Sequence, residues 1–172
     1  RWGRQISHSI LQVESERDNG ERSYERIRAM GENGTPDIII LFIGINDNVS
    51  GVKTSDFEAG YKTMIDRTME VYPNAYILLA TFYYSHYHIR EASHAQYSEE
   101  TRLAYNEVIR DLAKEYQVGL VELADIWEAG VSPTALDAGS TGYLGDNLHP
   151  SDKGMKKLSE YFVADIKKYF GL

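Results

Sequence analysis

DIIILFIG, residues 37–44, opens on one acidic residue, runs through three isoleucines, Leu41, Phe42 and Ile43, and stops at Gly44. Its apolar side chains alternate onto both faces, the pattern of a strand covered on either side by helices in a parallel sheet. The run follows the turn-forming Gly34, Thr35 and Pro36, and Asn46 and Asp47 stand side by side at its exit. Asn and Asp are ordinary turn formers, so this exit read alone is open between a turn and a site.

Outward from this run, YILLATF (76–82) repeats the signature after the Pro73–Asn74 break, and VGLVEL (118–123) is a weaker third copy. Between them lie helical periodicities. Thr54 to Val71 spaces Phe57, Tyr61, Met64, Ile65 and Thr68 by threes and fours, with Thr54 or Ser55 as the predicted N-cap. Glu99 to Tyr116 does the same with Leu103, Val108, Ile109 and Leu112, and Ser151 to Phe170 with Met155, Leu158, Phe162, Ile166 and Phe170. Strands alternating with such helices predict a three-layer α/β/α sandwich with a mostly parallel, flavodoxin-like sheet. The first 35 residues are less regular, with helices at 2–10 and 21–30 and a short strand at 11–13 as the best fits. The Gly-, Ser-, Thr- and Asp-rich stretch 129–150 is a long loop of the kind that often carries function.

At 172 residues, with no repeat and no linker, the chain is expected to form one domain with its own core. It has no cysteine, which excludes disulfides, thiolate metal sites and a cysteine nucleophile. A net charge of -8 without a basic block argues against nucleic acid as a partner, and Lys153, Lys156 and Lys157 read as one solvated helix face. No apolar run reaches the roughly 20 residues that a membrane span needs. The compartment, whether cytoplasmic or secreted, stays open.

Ligands of open parallel sheets sit beyond the carboxyl ends of the strands, which is where Gly44–Asn48 and Tyr83–His88 fall. DNLHPSD (146–152) sets Asp146 three residues before His149, with Pro150 and Ser151 opening the last helix. A carboxylate beside an imidazole fixes its tautomer and leaves the other nitrogen to act as a base, although capping and turn chemistry use the same residues. Asn46, at the end of a rigid strand, offers an amide donor to an oxyanion or to a local carbonyl. His86, His88 and His94 cluster in YYSHYHIREASH (83–94), but no acidic ligand is spaced to complete a set, so no metal is expected. Tyr83, Tyr84, Tyr87 and Tyr97 suit either stacking on sugars or acyl groups, or packing under a loop.

PDIIILFIGIND (36–47), followed about a hundred residues later by DNLHPSDKGM (146–155), resembles the SGNH hydrolase superfamily, the GDSL-type esterases, lipases and acylhydrolases. GIND (44–47) is similar to that family's Gly-x-Asn-Asp block, and DNLHP (146–150) to its Asp-x-x-His-Pro block. The resemblance implies that Asn46 is an oxyanion-hole amide, His149 the general base and Asp146 the residue that orients it. It further implies that the backbone N–H of Gly20 completes the oxyanion hole, and that Gly44 and Asp47 support the loop. The implied activity is ester hydrolysis through a serine acyl-enzyme, without a cofactor, on a small-molecule ester. The tyrosines and acidic charge favour small acyl groups, such as those on carbohydrate, over long lipid chains.

The family's nucleophile stands in a Gly-Asp-Ser block at the end of its first strand, and no Gly-Asp-Ser occurs in these 172 residues. Ser7 and Ser9 fall in a predicted helix and Ser85 follows the Asn46 block, so none is assigned. Residues 1–172 are therefore expected to be a single SGNH-like domain without its first strand. That strand is central in the family's sheet, so the edges it leaves need pairing by an upstream segment, another part of the chain or a second chain. Two other classes stay open: a binding module that kept the fold and lost the nucleophile, and an unrelated α/β domain. Against a phosphate or nucleotide binder stands the lack of a Gly-rich phosphate loop. The gene upstream of the codon for Arg1 is expected to encode an apolar strand ending in Gly-Asp-Ser; reading that sequence tests it, and a frame without such a block favours the binding module.

Overall fold

The computed structural model describes residues 35–85, 99–127, 142–145 and 149–172. The elements run β1 (Ile38–Leu41), α1 (Ile45–Val49), α2 (Thr54–Val71), β2 (Tyr76–Ala80), α3 (Glu99–Glu115), β3 (Gly119–Val121) and α4 (Asp152–Phe170). The strands form a parallel sheet in the order β1-β2-β3. Leu41 lies opposite Leu79 and Leu79 opposite Leu120, so these three side chains share a face. Ile40, Leu78 and Gly119 share the other.

Each face has its own core, and this makes the three layers. Ile39, Leu41, Ile77 and Leu79 pack against Phe57, Tyr61 and Ile65 of α2 and Ile109 and Leu112 of α3. Leu78, Ala80 and Val121 pack against Leu158 of α4, with Phe162 and Ile166 partly buried beside them. β2 is the strand covered on both sides, as Leu78, Leu79 and Ala80 are wholly buried. The α/β/α sandwich with a parallel sheet is the fold read from the sequence.

Several local expectations are corrected. The strand predicted at 37–44 pairs only over Ile38–Leu41, and Ile40 is 46% exposed rather than covered on both faces, because α4 packs over β3. Residues 45–49, at the exit left open between a turn and a site, form the short helix α1. The N-cap of α2 is Lys53, whose carbonyl receives the amides of Asp56 and Phe57 (both 3.0 Å), so Thr54 and Ser55 already lie inside the helix. On α3 the buried stripe is Arg102, Tyr105, Asn106, Ile109, Leu112 and Ala113, while Leu103 is 41% exposed. On α4, Met155 and Phe170 stand largely in solvent. The buried residues of this 19-residue helix are Gly154 and Leu158 in its first half, with Phe162 and Ile166 partly buried beyond them. The elements predicted within residues 1–34 lie outside the described residues.

Where the strands end, the ladder stops but the main chain is still buried, and side chains take over its hydrogen bonds. Asn106 clamps Phe82, accepting from its N–H (2.7 Å) and donating to its carbonyl (3.0 Å). Buried Arg102 donates to the carbonyls of Phe82 (2.7 Å) and Ala124 (3.2 Å) and pairs with Glu99 through two nitrogens, which keeps its charge compensated. The Thr81 hydroxyl accepts from Leu123 N–H (2.7 Å) and Ala124 N–H (3.1 Å) and donates to Glu122 (2.6 Å). Gly44 has φ 111°, and a Cβ there would lie 2.4 Å from Cε2 of Phe57.

Two predictions follow from these contacts. Partial burial of Glu122 would raise its carboxyl, but hydrogen bonds from Arg110 and Thr81 outweigh that and hold it below its ordinary value. A group lowered in the folded state adds stability above its unfolded pKa and loses it as pH falls through the folded one. Glu122→Gln is thus expected to be less stable than wild type at pH 7, with the gap closing between pH 5 and 3 in urea titrations; a gap independent of pH would contradict it. Gly44→Ala is expected to cost about 2 kcal/mol or more in the same titrations, since it adds a methyl group to a packed site at positive φ.

Candidate functional site

The sequence from Gly44 to Val52 is a compact block at the β1 exit. Gly44, in left-handed conformation, caps α1, and its carbonyl receives the amides of Asp47 (3.0 Å) and Asn48 (3.1 Å). Ser50 N–H returns to Asn46 O (2.9 Å) and Val52 N–H to Asp47 O (3.0 Å), closing the turn. Asp47 and Asn48 are buried, whereas Asn46 is half-buried at the surface of the block. Glycine at 44 is therefore required by both φ and the Phe57 ring, and Asp47 belongs to the interior of the loop.

Two buried tyrosines hold this block from below. Tyr61 of α2 donates to the carbonyl of Leu41, the last residue of β1 (2.7 Å), and Tyr105 of α3 donates to the carbonyl of Val52. Their rings pack around Phe57, with centroids 5.2 Å and 4.5 Å away. Burial lifts both phenols well above their ordinary range, and for Tyr105 the charges of Asp47 and Asp56 add to the rise. Both stay protonated and can donate.

His149 is reached through a line of aromatic rings. Phe42 meets Tyr83 (6.2 Å), Tyr83 meets Trp127 edge-on (5.2 Å), and Trp127 stacks on Tyr143 (5.0 Å). The indole N–H of Trp127 donates to Tyr84 O (2.8 Å). These rings follow β1, β2 and β3 in turn, so they lie along the carboxyl edge of the sheet. Tyr143 then begins a small antiparallel closure: Ser151 N–H donates to Tyr143 O (2.8 Å), Gly145 N–H to His149 O (2.8 Å), and Leu144 bridges to Pro150. Ser151 also caps α4, accepting from Gly154 N–H (3.2 Å), and donates its hydroxyl proton to Gly142 O (2.6 Å). Gly154 is pressed so close to Tyr143 that an added Cβ would lie 2.0 Å from its carbonyl oxygen. The loop bearing the exposed His149 is thus seated on the exits of β2 and β3, at the same sheet edge as the Asn46 block.

Gly20, Asp146, Ser7, Ser9 and the histidines 86, 88 and 94 lie outside the described residues, as do Tyr87 and Tyr97. Ser85 is completely buried. Lys153 and Lys156 are exposed, and the Lys153 ammonium lies 4.6 Å from the centre of the Tyr143 ring. Sequence reading did not single out Trp127, Tyr143, Arg102 or Asn106, nor the supporting roles of Tyr61 and Tyr105. A tyrosine on a buried helix stripe needs a hydroxyl partner, and that is the signal by which Tyr61 was open to recognition. No such signal points to the residues that Arg102 and Asn106 clamp. Among the described residues no helix is long and apolar enough to cross a membrane.

Known proteins resemble this chain in sequence and in fold. The chain is 29% identical over 139 residues to a multidomain esterase of Ruminococcus flavefaciens, a match covering 78% of this chain and 16% of that protein. It spans about a sixth of that relative's length. In fold it is similar to an acetyl xylan esterase, AlAXEase, with TM-score 0.58 and 19% identity over 94% of this chain and 76% of the other. It is also similar to a peptidoglycan O-acetylesterase, with TM-score 0.64 and 17% identity over 84% and 41% of the two chains. Residues 4–157 match the GDSL-like lipase/acylhydrolase family, a span that takes in both sequence blocks and all three described strands, and the chain belongs to that family.

Proposed function

We propose that the chain is the core of an ester hydrolase that removes small acyl groups from polar, carbohydrate-like alcohols through a serine acyl-enzyme. The observation that carries this reading is the common address of its two motif blocks: the α1 turn with Asn46 and the closure with His149 both lie at the carboxyl edge of the sheet. In the proposed cycle a serine hydroxyl attacks the ester carbonyl carbon while a ring nitrogen of His149 takes its proton. Asp146 orients the imidazole and stabilises the imidazolium. The negative oxygen of the tetrahedral intermediate accepts hydrogen bonds from the Asn46 side chain and the Gly20 backbone. Collapse expels the alcohol, which takes the proton back from His149, and water then attacks the acyl-enzyme with His149 again as base. The serine is proposed to come from a Gly-Asp-Ser block beyond these 172 residues, none of whose own serines stands in one.

The preference for acylated carbohydrate is supported by the fold neighbours that are esterases of acetyl xylan and of peptidoglycan O-acetyl groups. The lack of a Gly-Asp-Ser block is also the observation that favours the second reading, a binding module without turnover. The full-length gene product is expected to hydrolyse p-nitrophenyl acetate and to release acetate from acetylated xylan. His149→Ala should lower kcat on p-nitrophenyl acetate by roughly a thousandfold or more. Asn46→Ala should lower it by about a hundredfold with KM little changed, because its amide acts on charge that develops only in the transition state. Equal turnover by wild type and His149→Ala removes His149 from the mechanism, and no turnover of either substrate by the wild type supports the binding module.

A further inference from the structure

We propose that the buried hydroxyls of Tyr61 and Tyr105 are positioning groups for Asn46, setting the aim of its amide by fixing the two ends of the loop that carries it. The inference rests on the oxyanion role given to Asn46 above. Asn46 lies beyond the end of the β1–β2 ladder at Leu41, on the loop that returns at Val52. Its height and direction depend on where the chain leaves the sheet and where it returns. The leaving end is the Leu41 carbonyl, which accepts from Tyr61 (2.7 Å). The returning end is Val52, whose N–H closes the turn onto Asp47 O (3.0 Å) and whose carbonyl accepts from Tyr105.

The two donors come from different helices, α2 and α3, and neither ring can tilt freely. Phe57 lies against both, Tyr105 also faces Phe82 (6.3 Å), and Phe82 is itself clamped at its backbone by Asn106. Tyr61 is completely buried and Tyr105 is 2% exposed, so neither hydroxyl is placed to meet a substrate. Each can act only through the loop. An oxyanion donor is useful only at the right distance and angle, so a small displacement of the loop lowers transition-state stabilisation while leaving ground-state binding nearly intact.

The test is a double-mutant cycle in the full-length gene product on p-nitrophenyl acetate. Tyr61→Phe and Tyr105→Phe remove the hydroxyls and keep the rings. Each is expected to lower kcat by about 5-fold with KM within 2-fold of wild type, and to cost nothing further when Asn46 is already alanine. Circular dichroism melts establish that each variant is folded, and either one alone suffices to run the cycle. Losses that multiply with that of Asn46→Ala, or no loss in either phenylalanine variant while Asn46→Ala is impaired, overturn the positioning role and leave the esterase reading standing. An Asn46→Ala enzyme with wild-type kcat overturns the positioning role together with the oxyanion role of Asn46 on which it rests.

Discussion

Among the described residues, the main chain at the carboxyl ends of these strands stays buried beyond the β-ladder, and the rest of the site depends on how its hydrogen bonds are made. Several of these groups find a side chain from a helix or from an adjacent exit. Leu41 O takes Tyr61, both polar groups of Phe82 take Asn106, and Ala124 O takes Arg102. The amides of Leu123 and Ala124 take Thr81, and Tyr84 O takes the indole of Trp127. A lost partner here would leave a buried polar group unsatisfied, at about 1–3 kcal/mol each. The strand exits are therefore rigid although they lie outside the ladder.

This rigidity has a functional consequence. The edge of a parallel sheet is an irregular place in which to hold a reacting carbonyl, because every loop there leaves in its own direction. Tying the exits of β2 and β3 to α3, and those of β1 and α1 to α2 and α3, turns separate loops into one surface. The aromatic line from Phe42 to Tyr143 continues that surface to the closure that bears His149. Gly44 and Gly154 are the two points at which the surface is pulled tight, one against a ring and one against a carbonyl.

The sequence patterns were legible where one periodicity met one environment. β2, buried on both faces, is continuously apolar, and α2 runs over the residues its three-and-four spacing marked. They failed where burial depended on what lay alongside. Leu103 looked like core and is largely exposed, while its neighbour Arg102 is buried, because the pull of two strand-exit carbonyls and Glu99 outweighs the apolar preference of one leucine. Met155 and Phe170 continue the apolar stripe of α4 in sequence but are exposed, while Gly154 and Leu158 carry its buried face. Of the candidate site, Asn46 and His149 were read from short motifs, whereas the residues that hold their loops were not, since clamps like Asn106 on Phe82 join positions with no sequence relation.

By itself the sequence determined the alternation of strand and helix, the layered parallel fold and the two blocks that mark the family, because periodicity and short motifs are local properties of a chain. Only the tertiary structure decided that Asn46 and His149 lie along one edge of the sheet and that Arg102, Asn106, Tyr61 and Tyr105 brace it. The physical reason is that a hydrogen bond spanning 20 or 53 residues, as those of Tyr61 and Tyr105 do, exists only after the sheet has brought its ends together.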